Sequence, residues 1–202
     1  MIRSSYSIAA FLLFFIFSYS YAQELERVQC ENGKFGFKDK ETGETIIPFK
    51  FDDVGYFSEG LAPAKLGKKW GYVDKTGATV IPFKYGQARG FYEGLAAVNQ
   101  RGKFGYIDKN GKNVIPFRYE TVASFADGVA PVSRKRKHGF IDKTGAAVVP
   151  LMHASYNDAV NAVFEAKDED FRARLNEISS LRFSERLLER FPDGTFPVPW
   201  VF

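Results

Sequence analysis

The sequence predicts a mainly β fold: tandem antiparallel three-stranded β-meander repeats forming an open, twisted array, with a C-terminal α-helical cap. Three observations carry that prediction. The first is a recurring motif. KFGFKDKETGETIIPFKF occupies residues 34–51, KWGYVDKTGATVIPFKY residues 69–85, KFGYIDKNGKNVIPFRY residues 103–119 and KHGFIDKTGAAVVP residues 137–150. Pro48, Pro82, Pro116 and Pro150 lie 34 residues apart (82 − 48, 116 − 82, 150 − 116). A period of this length marks one supersecondary unit stacked on its neighbours. The second is the aromatic content of 16%, carried by 21 Phe and 10 Tyr, residue types favoured on half-buried pleated surfaces. The third is a loss of phase after Pro150. There Tyr156, Val160, Val163, Phe164, Phe171, Leu175 and Ile178 follow helical spacing instead.

The unit around Trp70 shows the expected elements in order. Residues 61–66 form a first strand and residues 67–69 a polar turn. Residues 70–73 form a second strand, residues 74–77 the next turn, and residues 79–81 a third strand ended by Pro82. The segment 83–94 crosses to the next unit. Asp74, Asp108 and Asp142 open their turns, where a short carboxylate can accept from backbone amides just ahead. Gly77, Gly111 and Gly145 close them, where a positive φ is expected. In the first unit Asp39 and Gly43 frame a turn one residue longer. Calcium ligation by these turns is disfavoured, because each supplies a single carboxylate and calcium needs several converging oxygens.

Gly36, Gly71, Gly105 and Gly139 follow a ring in each unit: Phe35, Trp70, Phe104 or His138. A strand glycine marks a bulge or a close backbone approach, so the ring is expected in the core. A second signature recurs at Phe57, Phe91 and Phe125, each two residues before Glu59, Glu93 or Asp127 and then a glycine. The phenylalanines are expected to pack between units. The three acidic residues are expected to serve turns rather than to form a binding row.

These residues carry a resemblance. An aromatic-Gly pair, an apolar residue, Asp-Lys, Gly, a β-branched pair, Pro and a later Phe-x-Glu-Gly-Leu-Ala resemble the WG-repeat (KWG-repeat) family of bacteria. Trp70-Gly71 is the name-giving pair, and Phe35, Phe104 and His138 replace the tryptophan elsewhere. The resemblance implies a β-rich repeat array found in many exported proteins. It does not imply an enzymatic activity, and it carries over no catalytic residues.

The organisation expected along the chain has four parts. Residues 1–22 read as a signal peptide, with Arg3 ahead of an apolar run and small residues at Ser18, Ser20 and Ala22. Residues 23–32 are a lead-in. Residues 33–150 hold four repeats (33–66, 67–100, 101–134 and a partial 135–150). Residues 151–202 form a helical tail, capped at its start by Ser155 or Asn157. A second short helix is expected over 185–191, followed by an apolar end carrying Trp200 and Phe202. An uncleaved membrane anchor is the alternative to the signal, and past it no second apolar run follows. Three strands per unit favour an open array over a propeller, whose blades normally have four.

Charge divides unevenly. The whole chain carries +4. Residues 23–150 hold 21 Lys+Arg against 15 Asp+Glu (+6), and residues 151–202 hold 6 against 9 (−3). Neither balance argues for specific nucleic-acid binding. Cys30 is the single cysteine, so no internal disulfide can form.

No phosphate loop, nucleophile elbow or metal spacing occurs in the sequence. No catalytic, cofactor or metal residue is assigned, and no enzyme is expected. The carboxylates recur with the repeat, whereas a catalytic pair is normally unique. A hydrolase using Asp74, Asp108 and Asp142 is the disfavoured alternative. His138 is expected to be structural, and His153 has no metal-spaced neighbours. The candidate binding surface comprises Tyr72, Tyr106, the basic run Arg134, Lys135, Arg136 and Lys137, and Trp200. The expected function is that of an exported, non-catalytic binding or scaffolding module of the bacterial envelope, whether periplasmic, cell-surface or secreted. Its partner would be a protein or an anionic polysaccharide. The alternative is an assembly subunit that docks through its C-terminal helix.

Overall fold

A computed structural model describes residues 24–165. The expected signal segment, the tail beyond residue 165 and Trp200 lie outside the described residues. The described residues form four antiparallel sheets and one helix. The first sheet has order β1-β2-β3, from β1 (Leu25–Gln29), β2 (Phe35–Asp39) and β3 (Thr45–Phe51). The second contains β4 (Asp53–Val54), β5 (Leu61–Leu66), β6 (Lys69–Asp74) and β7 (Thr79–Tyr85). The third contains β8 (Gln87–Tyr92), β9 (Leu95–Gln100), β10 (Lys103–Ile107) and β11 (Asn113–Tyr119). The fourth contains β12 (Thr121–Val122), β13 (Val129–Arg134), β14 (Lys137–Asp142) and β15 (Ala147–His153). The helix, α1 (Tyr156–Glu165), follows.

A three-stranded meander is present in every unit, but the last three sheets depart from the expected three strands by gaining a fourth from the crossing segment, so the strand count that favoured an open array over four-stranded blades does not hold for them. Gln87 and Ala88 on β8, for example, pair with Asn99 and Val98 on β9. The crossing chain thus satisfies its own backbone groups on the free edge of the next meander. The third strand also runs through its proline instead of stopping there. Trp70 pairs with Tyr85 and Tyr72 with Ile81, so two extra residues of β7 bulge outward between them. Pro82 sits exposed in that bulge, on the edge strand, where its missing N–H costs no ladder bond. Gly71 faces the bulge. A Cβ there would stand 2.5 Å from the Ile81 carbonyl oxygen, so the Gly of the motif and the Pro of the motif are two halves of one feature.

The cores lie between successive sheets. Phe37, Ile47 and Phe51 of the first sheet bury against Ala62, Ala64 and Val73 of the second. Tyr72, Ile81 and Tyr85 of the second bury against Ala96, Val98 and Ile107 of the third. Tyr106, Ile115 and Tyr119 of the third bury against Ala130, Val132 and Ile141 of the fourth. None of these cores joins the first sheet to the fourth. Each layer contains a ring pair linking a sheet to the chain entering the next: Phe37–Phe57 at 4.8 Å, Tyr72–Phe91 at 4.9 Å and Tyr106–Phe125 at 4.8 Å.

Both ends of the stack are finished differently from its middle. Helix α1 lays Ala159 and Val160 on Phe140, Val148 and Val149. Its Tyr156 ring stands 5.6 Å from Phe140, in the role that Phe57, Phe91 and Phe125 fill between sheets. The helix start is a reciprocal cap: the Asp158 amide donates to Ser155 Oγ at 3.1 Å, and the Ser155 amide to Asp158 Oδ2 at 3.0 Å. At the other end, Glu26 and Lys38 are cross-strand partners. The equivalent pairs are Ala62–Val73, Ala96–Ile107 and Ala130–Ile141, all buried. Charge on the outer face and hydrocarbon on the inner ones is what a terminal repeat needs.

Candidate binding surface

The repeated polar residues are largely occupied by the fold. Asp74 Oδ1 accepts from the Thr76 amide at 2.9 Å, Thr76 Oγ1 at 2.6 Å and the Ala78 amide at 3.1 Å. Asp142 repeats this with Thr144 and Ala146, and Asp108 with the amides of Asn110 and Lys112. The Thr76 hydroxyl beside it, with the turn amides, holds the Asp74 carboxyl below the usual range against a modest burial cost. The three aspartates therefore point into their own turns, which removes them as a hydrolytic pair facing a cleft. The glycines that close these turns have φ of 82°, 76° and 85° at Gly77, Gly111 and Gly145. They also seat the turn on the previous unit: a Cβ on Gly77 would meet Ile47 Cγ2 at 3.0 Å.

Glu59 and Glu93 do more than shape a turn. Both take left-handed backbone at φ 52° before their glycine, and their carboxylates reach across to the next unit. Glu59 accepts from the Gly94 amide at 3.1 Å and pairs with Lys109 Nζ at 3.0 Å. Glu93 accepts from Gly128 at 3.0 Å and pairs with Lys143 at 2.9 Å. Burial acts to raise the Glu59 carboxyl, but the Lys109 ammonium and the Gly94 amide outweigh it and hold it below the ordinary glutamate range. These residues are brackets between repeats, a role visible only once the units are stacked.

Two expected surface residues are not on the surface. Tyr72 and Tyr106 are fully buried. The strand alternation turns each ring into the core facing the next sheet, and each hydroxyl donates to a linker carbonyl at 2.7 Å, of Arg89 and Ala123 respectively. Burial raises both phenols far above their usual value. They are packing residues with a satisfied polar tip. His138 and His153 prove to be cross-strand partners, both half-buried, in the register held by Trp70–Tyr85 and Phe104–Tyr119 in the inner sheets. Among the described residues no group of three or more potential metal-ligating side chains converges, and no helix is long and apolar enough to cross a membrane.

The basic run stays exposed. Arg134 pairs with Lys137 across a two-residue hairpin whose central residues, Lys135 and Arg136, have φ of 51° and 57°. That is the turn geometry that favours Asn-Gly or Gly-Gly. The corresponding hairpins each hold a glycine, Gly67 between β5 and β6 and Gly102 between β9 and β10. These hairpins recur at one edge of the array, where two carboxylates staple neighbouring hairpins together and Asn99 fixes its own hairpin to the crossing chain. Asp52 accepts from Lys34 Nζ and from the Gly67 amide, both at 2.6 Å. Asn99 Oδ1 accepts from Gly102 at 3.2 Å, while its carbonyl accepts from Gly86 at 2.8 Å. Glu120 accepts from Lys103 Nζ and from the Arg136 amide, both at 3.2 Å. The Lys34 ammonium holds the Asp52 carboxyl below its usual range, and the Arg136 amide, followed by Lys103, does the same for Glu120. The sequence signal for these staples was Asp52 and Glu120, 68 residues or two periods apart.

A family model described as WG containing repeat matches residues 35–70, 70–104 and 104–137, the first two spans running from one ring position to the next and the third ending one residue short of His138. The chain belongs to the WG containing repeat family. In this WG-repeat protein the ring-Gly pair is the point where the bulge closes, as Gly71 shows. No curated protein matches the chain. Among solved structures, a KlHsv2 variant with loop 6CD replaced by a Gly-Ser linker is 9% identical, covering 62% of this chain and 48% of that one at TM-score 0.46. A eukaryotic initiation factor is 12% identical over 61% and 38% at TM-score 0.44. The extracellular domain of a one-component system from B. thetaiotaomicron is 14% identical over 61% and 22% at TM-score 0.40. This chain spans less than half the length of each of these three.

Proposed function

We propose that this WG-repeat protein is an exported, non-catalytic binding or scaffolding module of the bacterial envelope, recognising a protein or a glycan. One observation supports the reading above others. The side chains that recur with the repeat are spent on turns, brackets and cores, whereas the hairpin edge displays side chains that the fold does not use. A repeat array with a rigid interior and a free, variable edge suits recognition. Export rests on the apolar run and small residues ahead of Gln23. The test is a pull-down from envelope extracts together with a glycan array, using the full chain. Specific retention of one ligand class is the expected result. The absence of any ligand in both assays would overturn the reading.

A further inference from the structure

We infer that the row of β-hairpins on one edge of the array is a track for an unbranched acidic polysaccharide, bearing carboxylate or sulfate groups. The inference rests on the binding-module reading and names the ligand and its site. Its first support is position. The Asp52 staple ties the β1–β2 hairpin to β5–β6 and the Glu120 staple ties β9–β10 to β13–β14, and the 34-residue period places the two pairs on the same edge, one hairpin per sheet. Packed sheets lie about 10 Å apart, so the last three hairpins span about 20 Å.

Its second support is unspent charge. Lys34 and Lys103 are paired with Asp52 and Glu120. Lys68 and Lys69, Arg101, and all four side chains of the 134–137 run are exposed and have no ion-pair partner among the described residues. At the opposite turns the contrast is plain, because Lys109 and Lys143 are each bracketed by a glutamate. Unpaired cations are most numerous at the last sheet, where they follow one another through the turn without interruption.

The third support is backbone conformation. Lys135 and Arg136 are both left-handed, and position 136 is Gly102 one repeat earlier. A non-glycine residue held there is strained, and strain kept at a displayed position points to use of the side chain. The nature of the polyanion follows from what the edge lacks among the described residues. Single-stranded nucleic acid needs rings on which bases can stack, but Trp70 packs against the core between the second and third sheets and Phe104 is buried in the next. A chain of charged sugars needs only cations at intervals.

The experiment is a titration of the full chain with heparin and with polygalacturonate fragments of graded length, alongside neutral dextran and an oligothymidylate. Affinity is expected to rise with fragment length up to about 20 Å of span, with dextran silent and oligothymidylate weaker than either acidic glycan. Lys135→Asn and Arg136→Gly, both suited to the turn, are each expected to weaken binding about fivefold and to lower the dependence on salt, with no loss of thermal stability. Unchanged affinity in both variants overturns the track, as does oligothymidylate binding as tightly as the glycans. If another ligand from the pull-down binds the variants normally, this inference falls and the binding-module reading stands. If no ligand of any kind is found, both fall.

Discussion

Replacing Arg136 by glycine should make the protein more stable. Arg136 occupies the second central position of the β13–β14 hairpin at φ 57°, where an L-residue costs about 1–2 kcal/mol relative to its ordinary conformation. Glycine removes that cost but gains freedom in the unfolded chain, which returns about 0.5–1 kcal/mol. The remaining interactions do not change the balance. The bond to Glu120 uses the Arg136 backbone amide and survives the substitution, and the guanidinium is exposed, with no carboxylate partner among the described residues. The expected net gain is about 0.5–1 kcal/mol, which for a chain of this size is about 1–4 °C in Tm. Differential scanning calorimetry of the wild-type chain, Arg136→Gly and the reciprocal Gly102→Arg gives a matched set, since positions 102 and 136 are one period apart. Gly102 has φ 79°, so the reciprocal variant should lose at least as much as the first gains. A lower Tm for Arg136→Gly would refute the strain argument, and with it the third support for the track.

Other perturbations test the interior. Tyr72→Phe leaves the Arg89 carbonyl without its 2.7 Å donor and should cost about 1–2 kcal/mol in chemical denaturation; no loss would mean that the carbonyl is satisfied otherwise. Gly71→Ala would place a Cβ 2.5 Å from the Ile81 carbonyl oxygen, on backbone that cannot swing aside, so a loss of at least about 2 kcal/mol or failure to fold is expected, and a wild-type Tm would contradict the bulge. Acid should destabilise the array: Asp52, Glu59, Asp74 and Glu120 are all held below their usual pKa. Their contribution is therefore complete above the unfolded-state values near pH 4 and is lost as pH falls through the lower folded-state values. Thermal scans from pH 7 to pH 2.5 should show Tm level above about pH 5 and falling below about pH 4, and Glu59→Gln should reduce the fall.

Much of this architecture was legible because repetition averages out the ambiguity of single positions. Four copies of an aromatic-Gly-x-x-Asp pattern fix the second strand and its turn, and the ring-Gly pair correctly marked a close backbone approach. What could not be read were relations between units. Tyr72 looked like a displayed aromatic because a three-stranded meander leaves one face open; stacking the next sheet on that face buries it. Glu59 and Glu93 looked like local turn residues, and their partners Lys109 and Lys143 lie 50 residues on in each case (109 − 59, 143 − 93), beyond any local pattern. Pro82 looked like a strand terminator because a bulge that tolerates proline is created by the glycine opposite, on another strand. The basic run was legible as charge, but its strained turn and its alignment with the other hairpins needed coordinates.

The same stacking logic explains why individuality gathers at the last sheet. An inner unit must match a neighbour on both faces, so its rings, its Ala-Val/Ile pairs and its bracket glutamates are constrained from two sides. Among the described residues the fourth sheet meets a repeat on one face only, and α1 packs on its other face around Phe140, Val148 and Val149. There the aromatic cross-strand pair becomes His138–His153, and the glycine of the hairpin becomes Arg136. The first sheet, also matched on one face, changes in another way: it places Glu26 opposite Lys38, a neutralised pair that closes the array and offers no net charge. If these terminal changes were drift alone, release from packing would act alike at both ends. Instead one end is neutralised and the other accumulates unpaired cations, two of them on left-handed backbone, an asymmetry that relaxed packing does not produce and that the proposed acidic-glycan track would account for.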